Sequence, residues 1–348
     1  MSTIDVYAAY SVNTAERLSS ASGGVFSLLG KTIIASGGVV YGVAMSDDCK
    51  CAEYIRVTSE DSLSKLKSSK YLQAHVGDTF KSVKADLTEG RTVLFSGTGC
   101  TVNGLAHFLC SEKCERLAEK YPGLYCTDII CHGVPSPALW RKYAEYLEAQ
   151  NSGRLLSVNF RCKMDDTNGS SVREVDEGQK EIFISKDTDP YMQMFLRDYC
   201  LRPSCYECNA RQQRSADITL GDFWGIGNAA PQMAGSKGTS LILVRSNRGA
   251  KLLSAVSEQM VIKAVGYKEA VAANPSEYRS PARPSQRGAF FGDMRSMEFE
   301  ELSKKYSVSK QITTGVKAKK IIRSVLVKSK IVRTSANDYY LGFLLKMK

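Results

Sequence analysis

The apolar positions of the chain fall into short blocks separated by glycine-containing breaks. Residues 4–10 alternate loosely between apolar and polar and predict a first strand. Ser22-Gly23-Gly24 leads into an apolar run from Val25 that predicts a helix to Ala35, stopped by Gly37-Gly38. Residues 39–43 and 54–57 predict two more strands, and 59–67 a helix that Ser59 is placed to cap. Thr92-Val93-Leu94-Phe95 is a compact apolar strand that runs straight into Ser96-Gly97-Thr98-Gly99-Cys100 and a helix to about Phe108. Residues 124–130 predict a further strand, ending in Cys131-His132-Gly133-Val134-Pro135. The helix that follows begins with Pro137 and runs to about Ala149. Residues 155–186 read as mostly β, 218–220 and 241–244 as strands, 248–259 and 298–304 as helices, and the Pro/Ser/Arg-rich stretch 275–288 as a long surface loop. The succession of strand, glycine turn and helix predicts an α/β fold with a mixed sheet. No internal repeat interrupts it.

At 348 residues the chain is long enough for one large domain or two ordinary ones. It shows no secretory signal and no run of 18 apolar residues, so a cytoplasmic protein is expected. Eleven cysteines, an odd number in a long chain without an export signal, read as reduced thiols. Some would serve as metal ligands and the rest as small buried hydrophobes. The formal charge of +11 is uneven: from Lys310 to Lys348 ten Lys or Arg face one acid, Asp338. The body is therefore nearly neutral and the basic character belongs to a tail. There Ile321, Ile322, Val325 and Leu326 recur at helical spacing among Lys319, Lys320, Arg323, Lys328 and Lys330. Such a basic amphipathic helix can lie on an anionic membrane surface, dock an acidic electron donor, or pack back on the body. No interleaving of aromatic and basic residues accompanies the charge, so a nucleic-acid partner is not expected.

Cys205-Tyr206-Glu207-Cys208 is a CxxC pair, ambiguous between zinc, an iron–sulfur cluster and a redox dithiol. A zinc ribbon wants a second CxxC, and none is present. Cys100 and Cys131 each sit just past a strand in a glycine-containing turn. Neighbouring strands of an α/β sheet direct such positions into one crevice. Two such cysteines plus the CxxC supply four thiolates, as many as a cubane cluster takes. Spacing leaves this open against four unrelated buried cysteines, and Cys200 is a rival ligand.

Seven stretches, in order and covering roughly residues 4–270, resemble the coenzyme F420 hydrogenase/dehydrogenase beta-subunit family. They are Ser22 to Phe26, Ser69 to Gln73, Phe95 to Cys100, Cys131 to Ser136, Phe160 to Lys163, Leu201 to Cys208 and Asp217 to Gly225. The resemblance implies a flavin, FAD by family habit or else FMN, and a 4Fe-4S cluster on Cys100, Cys131, Cys205 and Cys208. It divides the chain into 1–90 and 91–309, the N- and C-terminal parts of the flavin and cluster domain, and the basic tail 310–348. Ser22, Gly23 and Gly24 ahead of a helix offer N–H groups for flavin phosphates, although a double glycine is also an ordinary turn. Lys70 and Tyr71 resemble the family's flavin-contacting loop, and Asp222 and Trp224 the segment after the cluster cysteines. Arg161 and Lys163 are expected to face an anionic substrate, and His132 reads as structural. Two departures stand out. Gly99 occupies a position where proline is common, and no ferredoxin-like segment precedes the first strand. A separate electron donor such as a ferredoxin is therefore expected.

The resulting expectation is an oxidoreductase passing electrons between cluster, flavin and an unidentified small molecule, in a setting such as cell-surface polysaccharide synthesis at the inner face of the membrane. The alternatives are a non-catalytic electron-transfer subunit, a cofactor-free or zinc-stabilised binding protein of the same fold, and a thiol–disulfide enzyme using Cys205 and Cys208.

Overall fold

The protein is described by a computed structural model covering residues 4–110, 114–163, 170–175 and 180–307. The basic tail and its expected helix lie outside these residues. Among the described residues twelve strands run in chain order as β1 (Asp5–Ser11), β2 (Val39–Met45), β3 (Ala52–Val57), β4 (Ala74–His75), β5 (Val93–Thr98), β6 (Leu124–Ile129), β7 (Leu155–Cys162), β8 (Ser170–Val175), β9 (Lys180–Ser185), β10 (Ile218–Asp222), β11 (Ser240–Val244) and β12 (Met260–Ala264). Nine form one mixed sheet in the order β12-β1-β11-β10-β6-β5-β2-β3-β4, and β7-β8-β9 form a separate antiparallel sheet. At the centre β10, β6, β5 and β2 are parallel, whereas β1, β11 and β12 add an antiparallel flank. Strands from 1–90 and 91–309 thus interleave in one sheet, with β1 between β11 and β12.

Helices cover both faces, which is why β5 and β11 read as continuous apolar runs. Leu94, Val40, Ile218 and Ile242 pack with helix Val25–Ala35 on one face. Val93, Phe95, Val39 and Cys126 pack with helix Gly99–Leu109 on the other. A third core is aromatic. Tyr143 stacks on Tyr191 at 5.6 Å and on Phe299 at 4.7 Å, and Trp140 meets Tyr191 at 5.1 Å. This core ties β7 to helices Pro137–Asn151, Pro190–Leu196, Arg287–Ser296 and Phe299–Tyr306.

Pattern reading overlooked helices Thr79–Thr88, Cys114–Lys120, Pro190–Leu196 and Arg287–Ser296, and strands β4 and β12. Helix Thr79–Thr88 buries only Thr79, Val83 and Asp86, too few apolar positions to show a stripe. The helix expected over 248–259 stops at Ser254, and a 3-10 turn then feeds β12, an edge strand burying only Met260. The helix expected over 59–67 is four α-helical residues, Glu60–Leu63, capped reciprocally by Ser59 and Ser62 and continued as a 3-10 turn.

Candidate functional site

β5 and β6 are adjacent and parallel, so their carboxyl ends lie side by side. Cys100 follows β5 in the first turn of helix Gly99–Leu109, and Cys131 lies two residues past β6. Cys205 ends the 3-10 turn Pro203–Cys205, and Cys208 precedes the turn Asn209–Arg211. All four cysteines line one small cavity, together with Arg202, Arg211 and Arg214. Cys200 does not line it; it is fully buried in the aromatic core. Cys49 and Cys126 are likewise core residues. Among the described residues, no group of three His, Cys, Asp or Glu side chains is drawn tightly enough to hold a single metal ion. The four thiols instead stand around a shared space.

Two glycines permit this approach. Gly133 has φ +150°, which L side chains rarely adopt, and a Cβ there would meet Leu201 Cδ1 at 2.8 Å and Cys205 Cβ at 3.4 Å. A Cβ on Gly99 would lie 2.9 Å from Asp128 Oδ2. The thiols are electrostatically unequal. Burial, reinforced by Cys100 and Cys205, pushes Cys131 up to about 12, and burial also raises Cys205. At Cys100 burial works the same way, but the Thr98 hydroxyl and the Arg202 guanidinium, each 3.2 Å from Sγ, outweigh it and lower the thiol.

Beside this cavity lies a second of about 660 Å³, a volume suited to a cofactor-sized ligand. The two share Cys131, Thr98, Gly133, Val134, Arg202 and Ser276. The N-terminal end of helix Val25–Ala35 opens onto the larger one, and its first turn holds no acid. Its wall carries Lys67, Lys70, Arg161, Lys186 and Arg202 against one carboxylate, Asp222. Arg161 donates to Asp222 Oδ2 at 2.7 Å and to the Tyr71 hydroxyl at 3.2 Å, and lies 5.7 Å from the Trp224 ring centroid. Tyr71, Arg161, Asp222 and Trp224, expected from distant stretches, thus meet on one wall. Trp224 is 48% exposed and Leu196 49%, leaving apolar surface at the rim. Lys70 is enclosed; burial pushes its ammonium down to about 7, and Nζ donates to the carbonyls of Lys67 at 2.6 Å and Lys65 at 2.8 Å.

Two expected residues take other positions. Gly23 does not line the cavity: its N–H donates to Ser240 Oγ at 2.9 Å and its carbonyl accepts from Ser11 N at 2.7 Å. Ser22 and Gly24 do line it, with the Ser22 hydroxyl donating to Thr239 O at 2.9 Å. Lys163 lies outside the lining as well. Its ammonium is taken by the carbonyls of Arg17 at 2.7 Å, Lys237 at 2.8 Å and Ser22, so it ties the segment 17–22 to the loop at Lys237. His132 lines the cavity with its Nε2 2.7 Å from Asp198 Oδ1.

Sequence reading missed Arg202, Arg211 and Arg214, although all three flank the CxxC pair. It also missed the buried network beneath them, where Arg214 bridges Asp128 at 2.6 Å and Glu277 at 2.9 Å. A second ion cluster supports the larger cavity: Glu16 meets Lys67 at 2.6 Å and Lys31 at 2.9 Å. Burial opposes the Glu16 charge, but hydrogen bonds from Lys67, Ser27 and Lys31 outweigh it and hold the carboxyl at about 2, below the usual 4.5. Stability from this group is complete above the unfolded value and is lost as pH falls through about 2. Glu16→Gln is expected to remove roughly 3 kcal/mol at neutral pH and to flatten that share of the acid limb. Urea midpoints measured across the acid range check this; parallel curves for the two proteins would refute it.

The family model for the C terminus of the coenzyme F420 hydrogenase/dehydrogenase beta subunit matches residues 90–270, which include all four cavity cysteines and more than half of the chain. The chain belongs to this family. Membership of the coenzyme F420 hydrogenase/dehydrogenase beta-subunit family places it among electron-transfer proteins with an oxidoreductase-related role. A solved chain in the xenon-derivatized F420-reducing [NiFe] hydrogenase complex from Methanosarcina barkeri is similar in fold. Its TM-score is 0.50 at 14% identity, over 74% of this chain and 81% of that one. No curated protein matches the sequence. Among the described residues no helix is long and apolar enough to cross a membrane.

Proposed function

We propose that the chain is an iron–sulfur flavoprotein in which Cys100, Cys131, Cys205 and Cys208 hold a 4Fe-4S cluster and the adjoining cavity takes FAD or FMN. The observation that carries this reading is the convergence of four cysteines from three separate segments on one cavity, which shares a wall with a larger, predominantly basic one. The donor set fits: four thiolates are what a cubane takes, and buried arginine N–H groups around them meet no partner among the described residues. Bound together, such groups supply one-electron steps and two-electron exchange with a small molecule.

The chain's own residues account for the rest. The start of helix Val25–Ala35 offers a positive end to a phosphate, and Lys67 and Lys186 add charge at the same cavity. Tyr71 and Trp224 flank Arg161, whose contacts with Tyr71 and Asp222 fix its guanidinium against the wall. Lys70 lines the same wall, its Nζ held by the carbonyls of Lys65 and Lys67, and so stiffens the loop there. Electrons come from a protein partner such as a ferredoxin, or from a neighbouring subunit, as the hydrogenase setting of the structural relative suggests.

Anaerobic purification followed by iron, sulfide and flavin assays tests the proposal. About four irons and about four sulfides per chain are expected, with a flavin spectrum. A protein that stays colourless after reconstitution with iron, sulfide and flavin would overturn the reading.

A further inference from the structure

Arg202, Arg211 and Arg214 stand with the four cysteines around the small cavity, and each is tied to the framework through its terminal nitrogens. Arg202 donates Nη2 to Cys100 Sγ at 3.2 Å. Arg211 donates Nη2 to the carbonyls of Cys131 at 2.7 Å and His132 at 3.2 Å, and Nη1 to Ser276 O. Arg214 donates Nη1 to Asp128 and Nη2 to Glu277. In all three the Nε–H is buried and meets no acceptor among the described residues. Leaving a buried donor unpaired costs stability, because its hydration is lost and nothing replaces it. Incurring that cost three times around one cavity points to an acceptor set that all three share.

We propose that these arginines form a cationic cage that donates hydrogen bonds to the sulfurs of the cluster and raises its reduction potential. The inference rests on the cluster reading above. Cluster sulfurs and cysteine thiolates are weak acceptors carrying negative charge, and adding an electron increases that charge. Hydrogen bonds and positive charge therefore favour the reduced form, the two levers that set such potentials. The three residues contribute differently. Asp128 and Glu277 offset the charge of Arg214, so it acts through hydrogen bonding. Arg202 and Arg211 have no carboxylate partner among the described residues, so they act through both. Arg202 also lines the larger cavity, which places its charge between the two sites.

The test uses full-length protein purified anaerobically, with iron and sulfide content confirmed, and a redox titration followed by electron paramagnetic resonance. Arg202→Gln and Arg211→Gln are each expected to lower the reduced-to-oxidised ratio at a fixed potential about tenfold, a shift of roughly 59 mV to more negative potential for a one-electron couple. Arg202→Lys keeps the charge and loses the planar fork, so it should shift less. Unchanged potentials in both Gln variants with intact clusters overturn the cage. Should those variants fail to hold a cluster, pulsed resonance on the reduced wild type labelled with 15N-arginine decides: couplings to arginine nitrogen support the cage, and their absence overturns it. A wild-type protein that takes up no cluster sinks the cluster reading itself, before any arginine is changed.

Discussion

Serine in place of Cys100, Cys131, Cys205 or Cys208 is expected to strip the cluster, whereas Cys200→Ser keeps it. A hydroxyl is a far poorer iron ligand than a thiolate, because it holds its proton at neutral pH and lacks sulfur's soft donor character. Losing an outer-shell partner of a metal ligand already costs about 10–100-fold in affinity, so losing a ligand should cost more than about 100-fold. Iron content and visible absorbance of anaerobic preparations measure this directly. Cys200 supplies the matched control. It is adjacent in sequence but fully buried among aromatic side chains, where a serine hydroxyl costs about 1–3 kcal/mol of stability without touching the cavity. Cluster loss in Cys200→Ser combined with retention in one of the other four would reverse the ligand assignment.

Gly23→Ala is expected to cost at least about 3 kcal/mol, or to leave no folded protein. A Cβ at this position would lie 2.3 Å from Ala9 O and 2.8 Å from Ser240 N. Both are backbone atoms of paired strands, β1 and β11, so no side-chain rotation can relieve the contact. The flanking strands would have to part and give up the Gly23 hydrogen bonds to Ser240 and Ser11. Gly249 meets Asp217 O at the same separation, so its replacement by alanine makes a second measurement of such a backbone clash away from the cavity. Chemical denaturation reads the loss; a Gly23→Ala protein as stable as the parent would show that this loop is free to move.

Gly23 also shows where local reading stops. The double glycine ahead of a helix is visible in the sequence, and so is the helix. Which of the two glycines faces the cavity depends on β11, more than two hundred residues away, and so lies beyond any local window. Lys163 follows the same logic: its motif was legible, yet the carbonyls that occupy its ammonium come from two remote segments, at Arg17 and Ser22 and at Lys237.

Local chemistry did determine a good deal. Apolar runs ending in glycine turns specify β5 and β6 and the helices after them, since strand length, turn residues and helix starts are written within a few positions. That is also why Cys100 and Cys131 could be placed at strand ends. Tertiary structure alone decided that β5 and β6 are parallel neighbours, that the Cys205–Cys208 turn folds over their ends, and that Cys200 is buried away from the cavity lining. It alone gathered Arg202, Arg211 and Arg214 over the buried carboxylates of Asp128 and Glu277. The reason is physical: periodicity and turn preference are properties of a few consecutive residues, whereas sheet order and the pairing of buried charges are settled by contacts between segments far apart in the chain.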